Sequence, residues 1–200
     1  MANIYTHTSE SDFWAQAREI FNASSPYRVA ASGGSAANIF DKLSPEDLKN
    51  TTLYQVDERF VPHDHADSNT KSLPPNICAF EILDTPEASV EAYAKKLNPD
   101  EAGFLFDLVI LGIGPDGHTA SLFPDSDLDC QELTQVTHTD QFAVNTRLTL
   151  SFEAIKKSKS ILVLLTSKSK KAILEKIQQE DLPASRLLGW PQASVLLLDL

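Results

Sequence analysis

Apolar residues recur at helical spacing near the start of the chain, where Phe13, Ala17, Ile20 and Phe21 form one stripe. That spacing predicts a helix opening after Thr8 or Ser9. Arg28-Val29-Ala30-Ala31 predicts a short strand that runs directly into Ser32-Gly33-Gly34-Ser35 and a second helix bearing Ile39 and Phe40. Residues 53–56 predict another strand, followed over 57–71 by a stretch too rich in charge, His and Pro for a core element, hence a loop. Thr85-Pro86 predicts a capped helix start, with Val90, Tyr93, Ala94 and Leu97 facing a sheet. Residues 107–111, 142–145, 161–165 and 195–198 predict further strands. Ser151 is placed to cap a helix through Ile155, and residues 167–169 to open one reaching Gln179. Strands made of continuous aliphatic residues, alternating with amphipathic helices, predict an α/β fold whose mostly parallel sheet carries helices on both faces. In such folds ligands bind beyond the carboxyl ends of the strands.

With 200 residues, 42% of them hydrophobic, the chain can bury a substantial core. No repeat or linker divides it, so one domain is expected over residues 1–200. Seventeen basic against twenty-eight acidic residues give a net charge of −11, which argues against a nucleic-acid or anionic-membrane surface. Any anionic ligand must then be held by a local basic cluster. The aliphatic run 161–165 is far too short to span a bilayer, and the first residues show no signal pattern, so a cytoplasmic protein is expected. Cys78 and Cys130, in no CxxC arrangement, suggest neither a disulfide scaffold nor a thiolate metal site.

Three loops at predicted strand ends can converge on one site. In Ser32-Gly33-Gly34-Ser35 the glycines let the backbone approach a ligand, and the following helix start offers amide donors that suit a phosphate. Such a turn also serves simply to join a strand to a helix. Asp57-Glu58-Arg59 places two acids and a guanidinium at a strand end, where the guanidinium can hold a carbonyl or phosphate oxygen, although charge runs also serve as solvated loops. His63 and His65, two residues apart, lack the spacing of a metal site, so no metal is expected.

Gly112-Ile113-Gly114-Pro115-Asp116-Gly117-His118 contains G-x-G-x-x-G after a strand, yet it does not suit a dinucleotide. Asp116 would set a carboxylate beside the pyrophosphate, and Pro115 removes a backbone donor. The glycines are better read as presenting His118 and Asp116, an imidazole able to take a proton from water and a carboxylate able to orient it. A structural histidine is the plainer alternative. Arg147 and Lys170, near other predicted strand ends, can join Arg59 in a positive focus against the acidic surround.

Taken together with Asp64-His65, Asp67-Ser68-Asn69, Thr119-Ala120-Ser121-Leu122-Phe123-Pro124, Arg147-Leu148-Thr149-Leu150 and Leu182-Pro183-Ala184-Ser185, these motifs resemble those of the 6-phosphogluconolactonases. That group shares a superfamily with the glucosamine-6-phosphate isomerase/deaminases. The resemblance implies a modified Rossmann-like fold with no cofactor, and hydrolysis of a phosphorylated sugar lactone, 6-phosphogluconolactone, to 6-phosphogluconate in the pentose phosphate pathway. It implies His118 as general base and Arg59 at the reacting end; in the mechanism expected from these residues, Asp116 or Asp57 fixes the imidazole and Arg59 or backbone N–H groups stabilise the oxyanion. Gly33, Gly34, Ser35, Arg147 and Lys170 would hold the phosphate, with Lys168 and Lys171 as alternatives to Lys170. Where the deaminase branch carries Phe-Asn-Glu-Pro, this chain has Ser121-Leu122-Phe123-Pro124, so an acid of that branch is replaced by Phe123. A deaminase and a non-catalytic sugar-phosphate sensor remain the rival readings. A monomer or weak homo-oligomer is expected.

Overall fold

The computed structural model describes residues 1–25 and 27–200. Its main sheet has six strands: β1 (Asn3–His7), β2 (Arg28–Ala31), β3 (Thr52–Gln55), β5 (Phe106–Leu111), β8 (Ser158–Leu165) and β9 (Ala193–Leu198), in the order β1-β9-β8-β5-β2-β3. Every pairing in it is parallel. Because side chains alternate across a strand, each strand feeds two separate cores. Val29, Ala31, Leu108, Ile110, Leu162 and Leu164 face the side covered by α1 (Glu10–Ala23), through its buried Phe13, Ala17 and Phe21. Ala30, Val109, Leu111, Val163 and Val195 face the other side. That side is covered by α2 (Pro86–Ala94), α3 (Phe152–Lys156), α4 (Lys171–Gln179) and α5 (Ser185–Leu188). The two-faced burial expected from continuous aliphatic strands is what the fold shows.

Helix starts follow local chemistry. Ser9, Thr85 and Ser151 each accept a hydrogen bond from a backbone N–H in the first turn, of Asp12, Ala88 and Ala154 respectively. Among the described residues no helix is long and apolar enough to cross a membrane.

Four expectations need correction. After β3 the chain does not enter a loop: Val56 donates to Ala31 O and accepts from Leu150 N, and Asp57–Arg59 then forms β4. This strand belongs to a second, antiparallel sheet, β4-β7-β6, with β6 (Thr134–His138) and β7 (Thr146–Leu150). Second, residues 142–145 are irregular, and the strand lies just beyond them; Arg147 therefore sits within β7, paired opposite Arg59, rather than after a strand. The aromatic Phe142 imitates strand composition but packs on site residues instead of a sheet. Third, the helix after the glycine turn is a 3-10 helix, Gly34–Asp41. Fourth, β1 and β6 have no counterpart in the pattern reading. Both pair with one neighbour only, β1 with β9 and β6 with β7.

Candidate active site

Strands β2, β4, β5 and β7 bring their ends to one cleft. Its lining includes Gly33, Gly34, Ser35, Asp57, Arg59, His118, Arg147 and Lys170, which the sequence places on five different segments. Asp116 lies directly behind His118.

The histidine is held by a bend after β5. Gly114 N–H donates to His118 O at 2.8 Å and Gly117 N–H to Gly114 O at 3.1 Å, with Gly117 at φ +85°. The Cε1–Nδ1 edge of the imidazole lies against Gly114: a Cβ there would fall 2.1 Å from Cε1 and 2.2 Å from Nδ1. No larger residue leaves room for the ring, which is the physical reason for glycine at this point of the motif. His118 Nδ1 lies 2.5 Å from Asp116 Oδ1. With Nδ1 donating to that carboxylate, Nε2 keeps its lone pair and is the basic nitrogen. Burial alone would raise the Asp116 pKa, but the hydrogen bond and charge of His118 outweigh it and hold the carboxyl below its ordinary value. Phe123, 4.8 Å away between centroids, packs on the imidazole.

Asp57 does not share the orienting role. Its carboxylate accepts from Ser121 Oγ at 2.7 Å and Asn69 Nδ2 at 3.3 Å, and Asp116 is the carboxylate that meets the imidazole. Burial pushes the Asp57 pKa up, against the opposing pull of Ser121 and Arg59. Asp57 still lines the cleft, so it remains within reach of a bound ligand.

Glu58, its neighbour, is fully buried and faces away into a saturated network. Oε1 accepts from Arg59 N at 2.8 Å and Asn69 N at 2.7 Å. Oε2 accepts from Gln55 Nε2, Ser68 Oγ and Thr70 N at 2.8, 2.9 and 3.2 Å. This pins the Ser68-Asn69-Thr70 segment against β4. Asn69 then reaches into the site, accepting from Arg59 Nη1 through Oδ1 at 2.7 Å and donating to Asp57 O through Nδ2 at 2.9 Å. The same Oδ1 would lie 2.6 Å from a Cβ on Gly33, so the glycine turn and this segment touch backbone to side chain.

Three cations complete the cleft. Arg147 is 5% exposed, its Nε buried without a partner, and its pKa is pushed down by burial and by the adjacent Arg59 guanidinium. Lys170 donates to Ile113 O at 2.6 Å, and burial lowers its pKa too. Lys171 turns outward to Asp199, 2.8 Å away, and of the three lysines only Lys170 is among the cleft's lining residues. The two guanidiniums repel each other, and with the Lys170 ammonium lining the same cleft they favour a bound anion. Beside them, Gly33 caps the 3-10 helix without a side chain, leaving its first amides open to a ligand. Gly34 N–H is an exception, since it donates to Ser72 Oγ at 3.1 Å.

Asn69, Ser121 and Phe142 belong to the site and carried no assigned role in the sequence reading. Asn69 and Ser121 stand within motifs quoted above, and the sequence pattern assigns Phe142 to a strand. His63 and His65 are exposed and outside the cleft, and among the described residues no cluster of His, Cys, Asp or Glu is grouped to hold a metal.

Comparison with known proteins places these features in a wider setting. The family model described as glucosamine-6-phosphate isomerases/6-phosphogluconolactonase matches residues 4–196. The human 6-phosphogluconolactonase is 32% identical over 196 residues, covering 85% of this chain and 76% of that protein. The 6-phosphogluconolactonase of Caulobacter vibrioides is 32% identical over 190 residues, covering 84% and 81%. A solved structure of the Trypanosoma brucei 6-phosphogluconolactonase superposes with a TM-score of 0.76 at 27% identity, covering 98% of this chain and 96% of that one.

Proposed function

The chain belongs to the glucosamine-6-phosphate isomerase/6-phosphogluconolactonase family, and we propose that it works on the lactonase side of it, hydrolysing 6-phosphogluconolactone to 6-phosphogluconate in the pentose phosphate pathway. The observation that carries this reading is the Asp116–His118 pair set in the same cleft as Arg59, Arg147 and Lys170.

His118 Nε2 takes a proton from a water as its oxygen attacks the lactone carbonyl. The tetrahedral oxyanion that forms is met by the Arg59 guanidinium, which Asn69 Oδ1 and Asp67 O hold in place at 2.7 and 2.6 Å. Collapse breaks the bond to the ring oxygen, which receives the proton from the imidazolium. Asp116 stabilises that imidazolium throughout. No covalent intermediate with the protein is needed, because a lactone is already an activated ester. The 6-phosphate is held by Arg147, Lys170 and the open amides at Ser35, which fixes the carbonyl relative to the base.

The deaminase alternative lacks the acid that its branch carries in this motif: Phe123 stands there, 3% exposed and against the imidazole. A sensor has no use for a histidine oriented by a carboxylate. We take the protein to be cytoplasmic and to act as a monomer or weak homo-oligomer.

Acid release from 6-phosphogluconolactone, corrected for spontaneous hydrolysis, tests the reading. The parent protein is expected to accelerate it, and His118→Ala to lose about 10²–10⁴-fold in kcat with little change in KM. Ammonia release from glucosamine-6-phosphate by the parent, or full activity in His118→Ala, would refute it.

A further inference from the structure

The β6–β7 hairpin loop, closed by Thr139 N–H donating to Asn145 O at 3.0 Å, carries Phe142 into the cleft. It is one of the few large apolar side chains left open, 41% exposed. Around it stand groups from both ends of the site. The Arg147 guanidinium lies over its ring, 5.3 Å from the centroid, and the His118 imidazole stands edge-on at 5.8 Å. Phe123 backs the arrangement at 6.1 Å. Phe142 is thus within reach of a ligand whose anion sits on Arg147 and whose reacting carbon meets His118. An aromatic surface offered to water there is covered favourably by an apolar face of the ligand.

Resting on the lactonase reading above, we propose that Phe142 contacts the sugar ring itself and selects the closed lactone over the open-chain acid. A six-membered lactone is held flat by its ester and presents a C–H face to an aromatic ring. The hydrolysed acid is a chain of freely rotating bonds, and laying it on the same surface requires ordering each of them. The contact formed with the substrate is thus weakened in the product. Phe142 is by this account a specificity residue that favours release of acid, while the phosphate grip common to both ligands lies with Arg147 and Lys170.

The test compares two constants in one assay: KM for 6-phosphogluconolactone and the inhibition constant of 6-phosphogluconate. In Phe142→Ala, KM is expected to rise roughly threefold to tenfold, the scale of a lost aromatic contact. The product constant is expected to move by less than about twofold, since the phosphate contacts persist. Phe142→Tyr should restore the parental ratio, and Phe142→Leu, which keeps bulk on the loop, should resemble Ala in ratio if ring stacking is what matters. If both constants rise together, the ring acts only through Arg147 and the proposal is wrong; if neither moves, it makes no contact and the proposal is equally wrong. A parent protein that fails to turn over the lactone in this assay defeats the lactonase reading itself, whereas an active parent with an unchanged ratio in Phe142→Ala defeats this proposal alone.

Discussion

Asp57 and Glu58 are adjacent carboxylates on one short strand, yet the regions they face are built on opposite terms. Behind Glu58 five donors converge on two oxygens, and they tie β4, Gln55 and residues 68–70 into one unit. In front, the cleft keeps polar atoms unmatched: Ser32 Oγ, Asp116 Oδ2 and Arg147 Nε are buried with no hydrogen-bond partner. They are three of six such atoms among the described residues, the others being His7 Nε2, Gln135 Nε2 and Asp199 Oδ1 away from the cleft. The contrast teaches that the saturated side supplies rigidity, whereas the cleft side presents its cationic lining, Arg59, Arg147 and Lys170, to a ligand. Arg59 belongs to both, its backbone N–H fixed by Glu58 and its guanidinium offered to the cleft.

The sharpest way to break this division is Glu58→Gln. An amide in place of one carboxylate oxygen turns N–H toward donors that now have no acceptor. With at least two of them stranded, roughly 2–4 kcal/mol of folding stability should be lost. A urea titration should show a lower midpoint at unchanged slope. A parental midpoint would mean that the network is incidental.

Lys170 offers a smaller effect on the opposite side. Burial lowers its pKa, with Asp116 pulling the other way, and a bound phosphate would favour the charged form again. Binding of 6-phosphogluconate is therefore strongest below the pKa of the empty site. It should weaken as pH rises through that value, which lies on the acid side of an ordinary lysine. Lys170→Arg, which keeps its charge, should flatten the alkaline decline in affinity measured by calorimetry; an identical decline in both proteins would remove Lys170 from the phosphate site.

How much of this could be read from residues alone follows the same division. Features decided locally were legible: the Ser9, Thr85 and Ser151 caps, the aliphatic strand around Val109, the Gly33-Gly34 turn, and the glycine bend that presents His118. Features decided by distant partners were not. Asp57–Arg59 looks like a solvated loop because its polar residues find their acceptors and donors in segments such as Asn69 and Ser121, far along the chain. The pattern sets Arg147 beyond a strand because Phe142 supplies the aromatic signal, whereas register with β4 is what defines β7. Asp57 and Asp116 were equal candidates for orienting the imidazole. Only the fold, by turning Asp57 toward Ser121, separates them. The choice among Lys168, Lys170 and Lys171 likewise depends on which stem leaves the short 3-10 helix Lys168–Lys170 or the start of α4 toward Ile113.

The central claim is that one cleft divides its labour, with the anion gripped at Arg147 and Lys170 and the carbonyl attacked at His118. The most direct test measures kcat and KM of the parent and of Arg147→Ala on 6-phosphogluconolactone and on the same lactone without its phosphate. Loss of a charge-assisted contact should raise KM for the phosphorylated lactone by about 10–100-fold, while the unphosphorylated lactone is turned over equally by both proteins. Equal losses on the two substrates would place Arg147 at the reacting carbon and contradict the account.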